Sequence, residues 1–183
     1  MLIEGKFILK ASIQKVWDTL LKPETLGACI PGCEKMVAIN ENTYESIVGA
    51  QVGAIKVKFK FTTNLTEIDP PKHMKAIGGG EEINKAGTFG QETEVNLTEI
   101  SEEEVEVSYS SNIKISGKIA TLGDRIMKAK AKQIGDSFTE ALNKRLSGED
   151  ATAAQVKIGT GDMLAASFDV LGGKIKKVFK DKQ

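Results

Sequence analysis

Two cysteines and one histidine are the residues of this sequence best suited to redox, metal or nucleophilic chemistry. Cys29 and Cys33 have three residues between them, and His73 follows later in the chain. A structural zinc site takes four ligands, and a redox motif has two residues between its cysteines, so we predict neither metal nor cofactor. A single histidine also leaves few ways to form a catalytic triad. We expect the cysteines to pack around the Pro31-Gly32 turn and His73 to lie at the surface.

Two glycine clusters, at 78–80 and 87–90, resemble phosphate-binding loops only superficially. Neither ends in Gly-Lys-Ser or Gly-Lys-Thr and neither opens a predicted helix, so we interpret both as hairpin geometry. The first cluster also predicts a bend or bulge where the sheet curls. The acidic run Glu102-Glu103-Glu104 falls in a predicted turn, where we expect it to be solvated.

Composition and charge indicate one globular domain with a basic end. The 183 residues are 40% apolar and 27% charged, and the formal net charge is zero, which gives no indication of a nucleic-acid partner. Residues 163–183 nevertheless carry five lysines against two aspartates, an asymmetry that favours an acidic surface as partner. No run of eighteen apolar residues occurs and no signal peptide precedes the first strand, so we expect a cytoplasmic protein.

The elements that must position these residues follow from apolar spacing. Residues 2–10 alternate as a strand, Ser12 is the expected N-cap of a helix through Leu21, and Pro23 can begin a second helix. Between Cys33 and Ile115 the pattern predicts six strands, clearest at 55–61, where apolar residues alternate with lysines.

A long helix follows the strands. We predict that Thr121 caps this helix and that it ends near Leu146, with an apolar stripe along one side. One antiparallel sheet covered by one long helix is an α+β arrangement of two layers. A curved seven-stranded sheet around a single helix rarely fills its own interior, so we expect a cavity for a hydrophobic ligand between the two. The candidate lining residues are Trp17, Phe59, Phe61, Phe89, Tyr109, Ile126, Met127 and Phe138. Ordinary core packing is the alternative for each of them.

Residues 147–162 are poor in large apolar side chains and are predicted to be a flexible linker. The segment 163–183 then predicts a separate basic amphipathic helix, whose large apolar residues fall within about 100° of arc. Such a helix suits an anionic membrane surface, while docking on a partner protein and packing on the domain itself stay open. The predicted membrane-binding residues are Leu164, Phe168, Leu171, Ile175, Lys176, Lys177, Val178, Phe179 and Lys180.

The stretch from Leu26 to Glu34, which contains Cys-Ile-Pro-Gly-Cys-Glu, resembles a signature of the CoxG family, whose members belong to carbon monoxide dehydrogenase systems. Further similar stretches are 2–7, 16–21, 52–59, 68–71 and 122–125, so that the resemblance covers about residues 1–146. This family is a branch of the START-like helix-grip (SRPBCC) superfamily. The resemblance therefore implies a helix-grip ligand-binding domain over residues 1–146, and it favours Ile126 and Met127 as part of the cavity wall.

The resemblance also implies a function. Members of the family accompany molybdenum hydroxylases of the carbon monoxide dehydrogenase type, and the superfamily binds lipids and other amphiphiles. It implies a non-enzymatic accessory protein that binds a lipid- or quinone-like molecule and recruits molybdenum hydroxylase subunits to the cytoplasmic face of the cell membrane, with peripheral association. Two alternatives stay open: a membrane tether with a filled core and no ligand, and a cyclase- or hydrolase-like helix-grip enzyme.

Overall fold

The structure, a computed structural model, describes residues 1–148. Its elements in chain order are strand β1 (Leu2–Leu9), helices α1 (Ile13–Leu20) and α2 (Pro23–Cys29), strands β2 (Cys33–Asn40), β3 (Thr43–Val52), β4 (Ile55–Asp69), β5 (His73–Glu82), β6 (Thr88–Ser101) and β7 (Glu104–Ile115), a 3-10 helix (Gly117–Leu122) and helix α3 (Asp124–Leu146). The predicted order of one strand, two short helices, six strands and one long helix is confirmed.

The seven strands form one antiparallel sheet in the order β1-β7-β6-β5-β4-β3-β2. Strands β2 to β7 form a meander, and β1 closes the sequence of pairings by lying beside β7. Alternate residues of each strand face the helices and the other residues face solvent, as the alternation in the sequence predicts. The arrangement is the α+β helix-grip fold that was expected.

Local sequence signals place the first two helices. The Ser12 hydroxyl accepts a hydrogen bond from the Lys15 backbone N–H at 3.4 Å, which makes Ser12 the N-cap of α1. Pro23 is the first residue of α2, where its missing N–H costs no helical hydrogen bond. Both predictions are confirmed.

The predicted cap of the long helix is wrong. Thr121 lies in the 3-10 helix, where its hydroxyl donates to the Lys118 carbonyl at 2.6 Å. Helix α3 begins three residues later, after Gly123 adopts φ 78° and ψ 159°. That conformation is accessible to glycine and strained for other residues, so Gly123 decides where one helix ends and the other begins.

The predicted bulge at Gly78–Gly80 is also wrong. All three glycines pair in continuous register with both neighbouring strands, and the irregularity of the β4–β5 pairing lies between Leu65 and Glu67 instead. Gly80 meets a different need, because a Cβ there would lie 2.7 Å from Phe61 Cδ1. The missing side chain therefore lets an aromatic ring lie flat against the sheet.

Buried apolar residues form two clusters at opposite ends of the sheet's concave face. The first is the larger, and consists of Leu9, Ala11, Val16, Trp17, Cys29, Met74, Leu97, Val105, Val107, Ala141, Leu142 and Leu146. The second consists of Val57, Phe59 and Ile119, with seven partly buried residues packed against it, among them Phe61, Phe89, Leu122 and Met127. The core is therefore divided, and the middle of the concave face belongs to neither cluster.

Polar contacts attach α3 firmly at its C-terminal end. The Asn143 side chain donates to the Ile8 carbonyl at 3.2 Å and accepts from the Lys10 N–H at 3.2 Å. The Lys15 ammonium donates to the Leu146 carbonyl at 2.8 Å, where it also interacts favourably with the helix dipole. These contacts join α3 to β1 and α1.

The predicted linker, apart from Ser147 and Gly148, and the predicted amphipathic helix at 163–183 lie outside the described residues. Within residues 1–148, no helix has the length and apolar character needed to cross a bilayer.

Candidate ligand-binding cleft

The N-terminal half of α3 covers the sheet without burying any of its own residues. Between Asp124 and Glu140 every residue is half-buried or exposed, whereas Ala141, Leu142 and Leu146 are buried. Apolar side chains that face the sheet from this half, such as Met127 and Ile134, therefore keep partial access to solvent. We call the region between this half of α3 and the concave face of the sheet the cleft.

Three phenylalanines form an aromatic floor at one end of the cleft. The rings of Phe59 and Phe61 stack with centroids 5.5 Å apart, and Phe89 meets Phe61 edge to face at 5.1 Å. Adjacent strands supply the residues, since Gly80 of β5 separates Phe61 of β4 from Phe89 of β6. Met127 packs against the same cluster from α3, so an apolar molecule would meet aromatic carbon below and a thioether above.

A second aromatic group stands at the other end of the cleft. Phe7 lies 6.2 Å from Tyr109 and 6.4 Å from Phe138, which it meets edge to face. Gly5 makes room for the tyrosine, because a Cβ at Gly5 would lie 2.6 Å from the Tyr109 hydroxyl oxygen. Tyr109 also reaches α3, where a Cβ on Gly135 would lie 3.6 Å from the same oxygen.

A cavity of about 380 Å³ opens beside the aromatic floor, where β4 extends beyond the end of β5. Its apolar lining, Ile55, Val57 and Ile119, belongs to or packs on the second cluster. Its polar lining includes Glu82, Asn84 and Lys118. The volume lies within the range of small-molecule sites.

Glu82 is the buried carboxylate of this end, with 3% of its surface exposed. Its oxygens accept hydrogen bonds from the backbone N–H groups of Asn84 at 2.7 Å and Ala86 at 3.3 Å, and from the Asn84 amide at 3.2 Å. Desolvation raises the pKa of Glu82, but the hydrogen bonds lower it by more, so its pKa is below the ordinary value. Glu82 therefore stays ionised and holds the β5–β6 turn.

The predicted cavity residues fall into several places. Phe59, Phe61, Phe89 and Met127 come together at the aromatic floor, and Tyr109 and Phe138 stand together at the far end of the cleft. Trp17 is 3% exposed inside the first cluster, between α1 and the sheet. Ile126 is 46% exposed, since it lies about 100° around α3 from Met127 and so faces away from the cluster.

The polar residues of the cleft were not among those predicted from the sequence. Thr63, Gln91, Thr93 and Ser111 lie on the same face of the sheet as the aromatic floor, with Gly78 between the first two. The signal was available, because continuing the alternation of β4 past Phe61 places Thr63 on the inward face. What the alternation lacks is the pairing that brings Gln91 beside it.

The cysteines and the histidine form no reactive group in the described chain. Cys29 is 2% exposed in the first cluster, and the Cys33 thiol donates to the Lys35 carbonyl at 3.4 Å. Burial raises the pKa of both thiols, which disfavours the nucleophilic thiolate. His73 begins β5, and its Nε2 lies 3.0 Å from a carboxylate oxygen of Glu94. Within residues 1–148 no three His, Cys, Asp or Glu side chains are grouped closely enough to hold a metal ion.

Comparison with known families and structures gives one family match. The family model of CoxG, a component of carbon monoxide dehydrogenase, matches residues 5–147. No curated protein sequence matches this chain significantly.

Several solved structures share the fold. A conserved protein from Geobacillus kaustophilus is 28% identical with a TM-score of 0.75, and the alignment covers 81% of this chain and 96% of that one. A START superfamily protein from Mycobacterium smegmatis is 10% identical with a TM-score of 0.62, covering 80% and 97%. The Zhui aromatase/cyclase from Streptomyces sp. R1128 is 10% identical with a TM-score of 0.62, covering 85% and 99%.

Proposed function

This chain belongs to the CoxG family of carbon monoxide dehydrogenase components, and we propose that it is a non-enzymatic accessory protein that binds a lipid- or quinone-like molecule in the cleft. In the same proposal it recruits a carbon monoxide dehydrogenase-type molybdenum hydroxylase to the cytoplasmic face of the membrane. A protein that holds a membrane-soluble molecule beside such an enzyme would bring it close to the lipid phase.

The observation that carries the ligand proposal is the divided core. A helix whose apolar residues served only to close the core would bury them along its whole length, yet α3 buries none before Ala141. Half-buried Phe61, Phe89 and Met127 leave apolar surface on both walls of the cleft. Apolar surface of this kind gains free energy when a hydrophobic molecule covers it.

The polar groups of the cleft support a binding role over a catalytic one. General acid–base catalysis needs a titratable group that can exchange a proton with the substrate near neutral pH. Glu82, at the end of the cleft, has its oxygens held by the β5–β6 turn and its pKa lowered. The Zhui aromatase/cyclase shares the fold, but at 10% identity that likeness extends to the fold alone.

Two features support the membrane part of the proposal. The sequence of residues 163–183 has the apolar arc and lysine flank of an interfacial helix. In addition, Lys118, Arg125 and Lys128 stand at the end of the domain where α3 begins, beside exposed Ile126, and none of the three forms an ion pair within residues 1–148. Cations without partners beside an exposed apolar side chain complement an anionic lipid surface.

Analysis of what the purified protein carries tests the ligand proposal. We expect solvent extraction of the full-length protein, followed by mass spectrometry, to release an amphiphile in near-stoichiometric amount. Protein freed of it should then bind ubiquinone-1 in a titration followed by calorimetry. Protein that purifies without any amphiphile and also fails to bind ubiquinone-1 would contradict the proposal and leave the tether alternative.

A further inference from the structure

Polar residues occupy the middle of the concave face, between the two apolar clusters. Thr63 of β4 pairs with Gly78 of β5, and Gly78 pairs with Gln91 of β6, so the three stand side by side across the sheet. One step towards the first cluster, Thr93 of β6 pairs with Ser111 of β7. We call Thr63, Gln91, Thr93 and Ser111 the polar band.

Gly78 leaves a notch in the polar band. A Cβ on Gly78 would lie 2.9 Å from the Thr63 hydroxyl oxygen and 3.5 Å from Gln91 Cγ. The two side chains therefore flank a position at which the sheet presents only backbone. A small group of a bound molecule can enter there and lie within reach of both.

The hydrogen-bonding groups beside the notch are available. Neither the Thr63 hydroxyl nor the Gln91 amide makes a side-chain hydrogen bond to any residue of the described chain, although both residues are half-buried. The Thr93 and Ser111 hydroxyls bond to each other at 2.7 Å, which uses one hydrogen and leaves further acceptor sites. A half-buried polar group without a partner is less favourable than an apolar residue in the same place, so the core alone does not account for the band.

The polar band carries no charge. Its members are two threonines, a serine and a glutamine, and the carboxylate at this end of the cleft, Glu82, is held by the β5–β6 turn. A charged group moved into the cleft would lose its hydration without meeting an opposite charge from the band. A carbonyl or hydroxyl group would exchange water for the Thr63 hydroxyl and the Gln91 amide at little cost.

We propose that the polar band is the specificity site of the cleft and binds the uncharged carbonyl or hydroxyl group of an amphiphile, whose apolar parts lie on the aromatic floor and on the Phe7–Tyr109–Phe138 group. This inference rests on the proposed ligand-binding function and adds the chemical class of the ligand. It also gives Gly78 a role in recognition.

Matched valine variants of the full-length protein test the assignment. Thr63→Val and Gln91→Leu should each weaken the binding of ubiquinone-1 by about fivefold, the effect expected of one neutral hydrogen bond. Thr62→Val makes the same change on the solvent face of β4, where the residue is exposed, and should leave the affinity unchanged. Thermal unfolding of each variant identifies any that is misfolded, and the other then carries the test.

Two probes with the same chain length test the absence of charge. At pH 8, 1-decanol should bind the wild-type protein at least tenfold more tightly than decanoate, and Thr63→Val and Gln91→Leu should narrow that difference. Equal affinity for the two probes, or unchanged binding of ubiquinone-1 in both folded variants, would overturn this inference alone. If neither ubiquinone-1 nor 1-decanol binds the wild-type protein, the proposed function fails as well.

Discussion

Glu82 illustrates how a buried charge can belong to a turn instead of a reaction. Its carboxylate accepts two backbone N–H groups of the β5–β6 turn, and Lys85 in that turn has a positive φ of 59°. A turn with such a backbone leaves N–H groups that need acceptors, and an ionised carboxylate is a strong one. The residue lines the 380 Å³ cavity because the turn lies there.

Glu82→Gln should destabilise the protein in a pH-dependent way. The pKa of Glu82 is lowered in the folded state from an ordinary value of 4.5, so its contribution is present above that value and is lost as the pH falls through the folded pKa. The melting temperature of the variant should therefore be lower than that of the wild type at pH 7, and the difference should shrink in acid below pH 4.5. Thermal melts from pH 3 to pH 7 measure this. A difference that stays constant over that range would contradict the assigned role.

Helix α3 combines a fixed end and a half-buried end. Asn143 and Leu146 are tied to β1 and α1 by hydrogen bonds, while the first seventeen residues bury no side chain. The fixed end orients the helix, and the other end leaves the cleft accessible between helix and sheet. A helix packed equally along its length would leave no room for a ligand.

Gly123→Ala should destabilise the start of α3. With φ 78° and ψ 159°, Gly123 occupies a region nearly closed to residues with a Cβ, and a Cβ there would touch nothing within 4 Å, so the cost comes from the backbone alone. We expect a loss of about 1–3 kcal/mol in the free energy of unfolding, measured by urea denaturation. Gly79→Ala is the control, because Gly79 lies within a regular strand and a Cβ there would meet Phe89 O at 3.6 Å. Equal effects of the two changes would contradict the role of Gly123.

At the scale of the whole molecule, the meander separates charge between two ends. The β6–β7 turn carries Glu102, Glu103 and Glu104, and the opposite end, where α3 begins, carries Lys118, Arg125 and Lys128. Antiparallel strands put successive turns at alternate ends, so residues close in sequence are distributed to opposite poles. An anionic membrane would attract the end beside the aromatic floor.

A chain ended after Gly148 should lose most of its binding to anionic vesicles while it stays folded. The removed segment contains the six large apolar residues and five lysines of the predicted amphipathic helix, and each lysine near an anionic leaflet contributes about 1 kcal/mol. Flotation with phosphatidylglycerol vesicles measures binding, and circular dichroism checks the fold. Charge reversal at Lys118, Arg125 and Lys128 in the full chain should cause a smaller loss. Undiminished flotation of the shortened chain would show that the segment is not the anchor.

The sequence by itself determined the order of elements and the local caps. Alternation over 55–61, Ser12 before α1 and Pro23 at the start of α2 all act through neighbouring residues, so their effects can be predicted without knowing what packs against them. The motif around Cys29 and Cys33 likewise indicated the family, whose model matches residues 5–147. The start of α3 was less predictable, because Thr121 and Gly123 are both acceptable boundary residues.

Only the tertiary structure decided which inward residues meet. Thr63 and Gln91 are far apart in the chain, and they flank Gly78 because two strand registers align them. Ile126 and Met127 are neighbours in sequence, yet only Met127 packs on the aromatic floor, because the position of α3 on the sheet fixes its rotation. Register and helix rotation result from many contacts over the whole sheet, and no short stretch of sequence contains them.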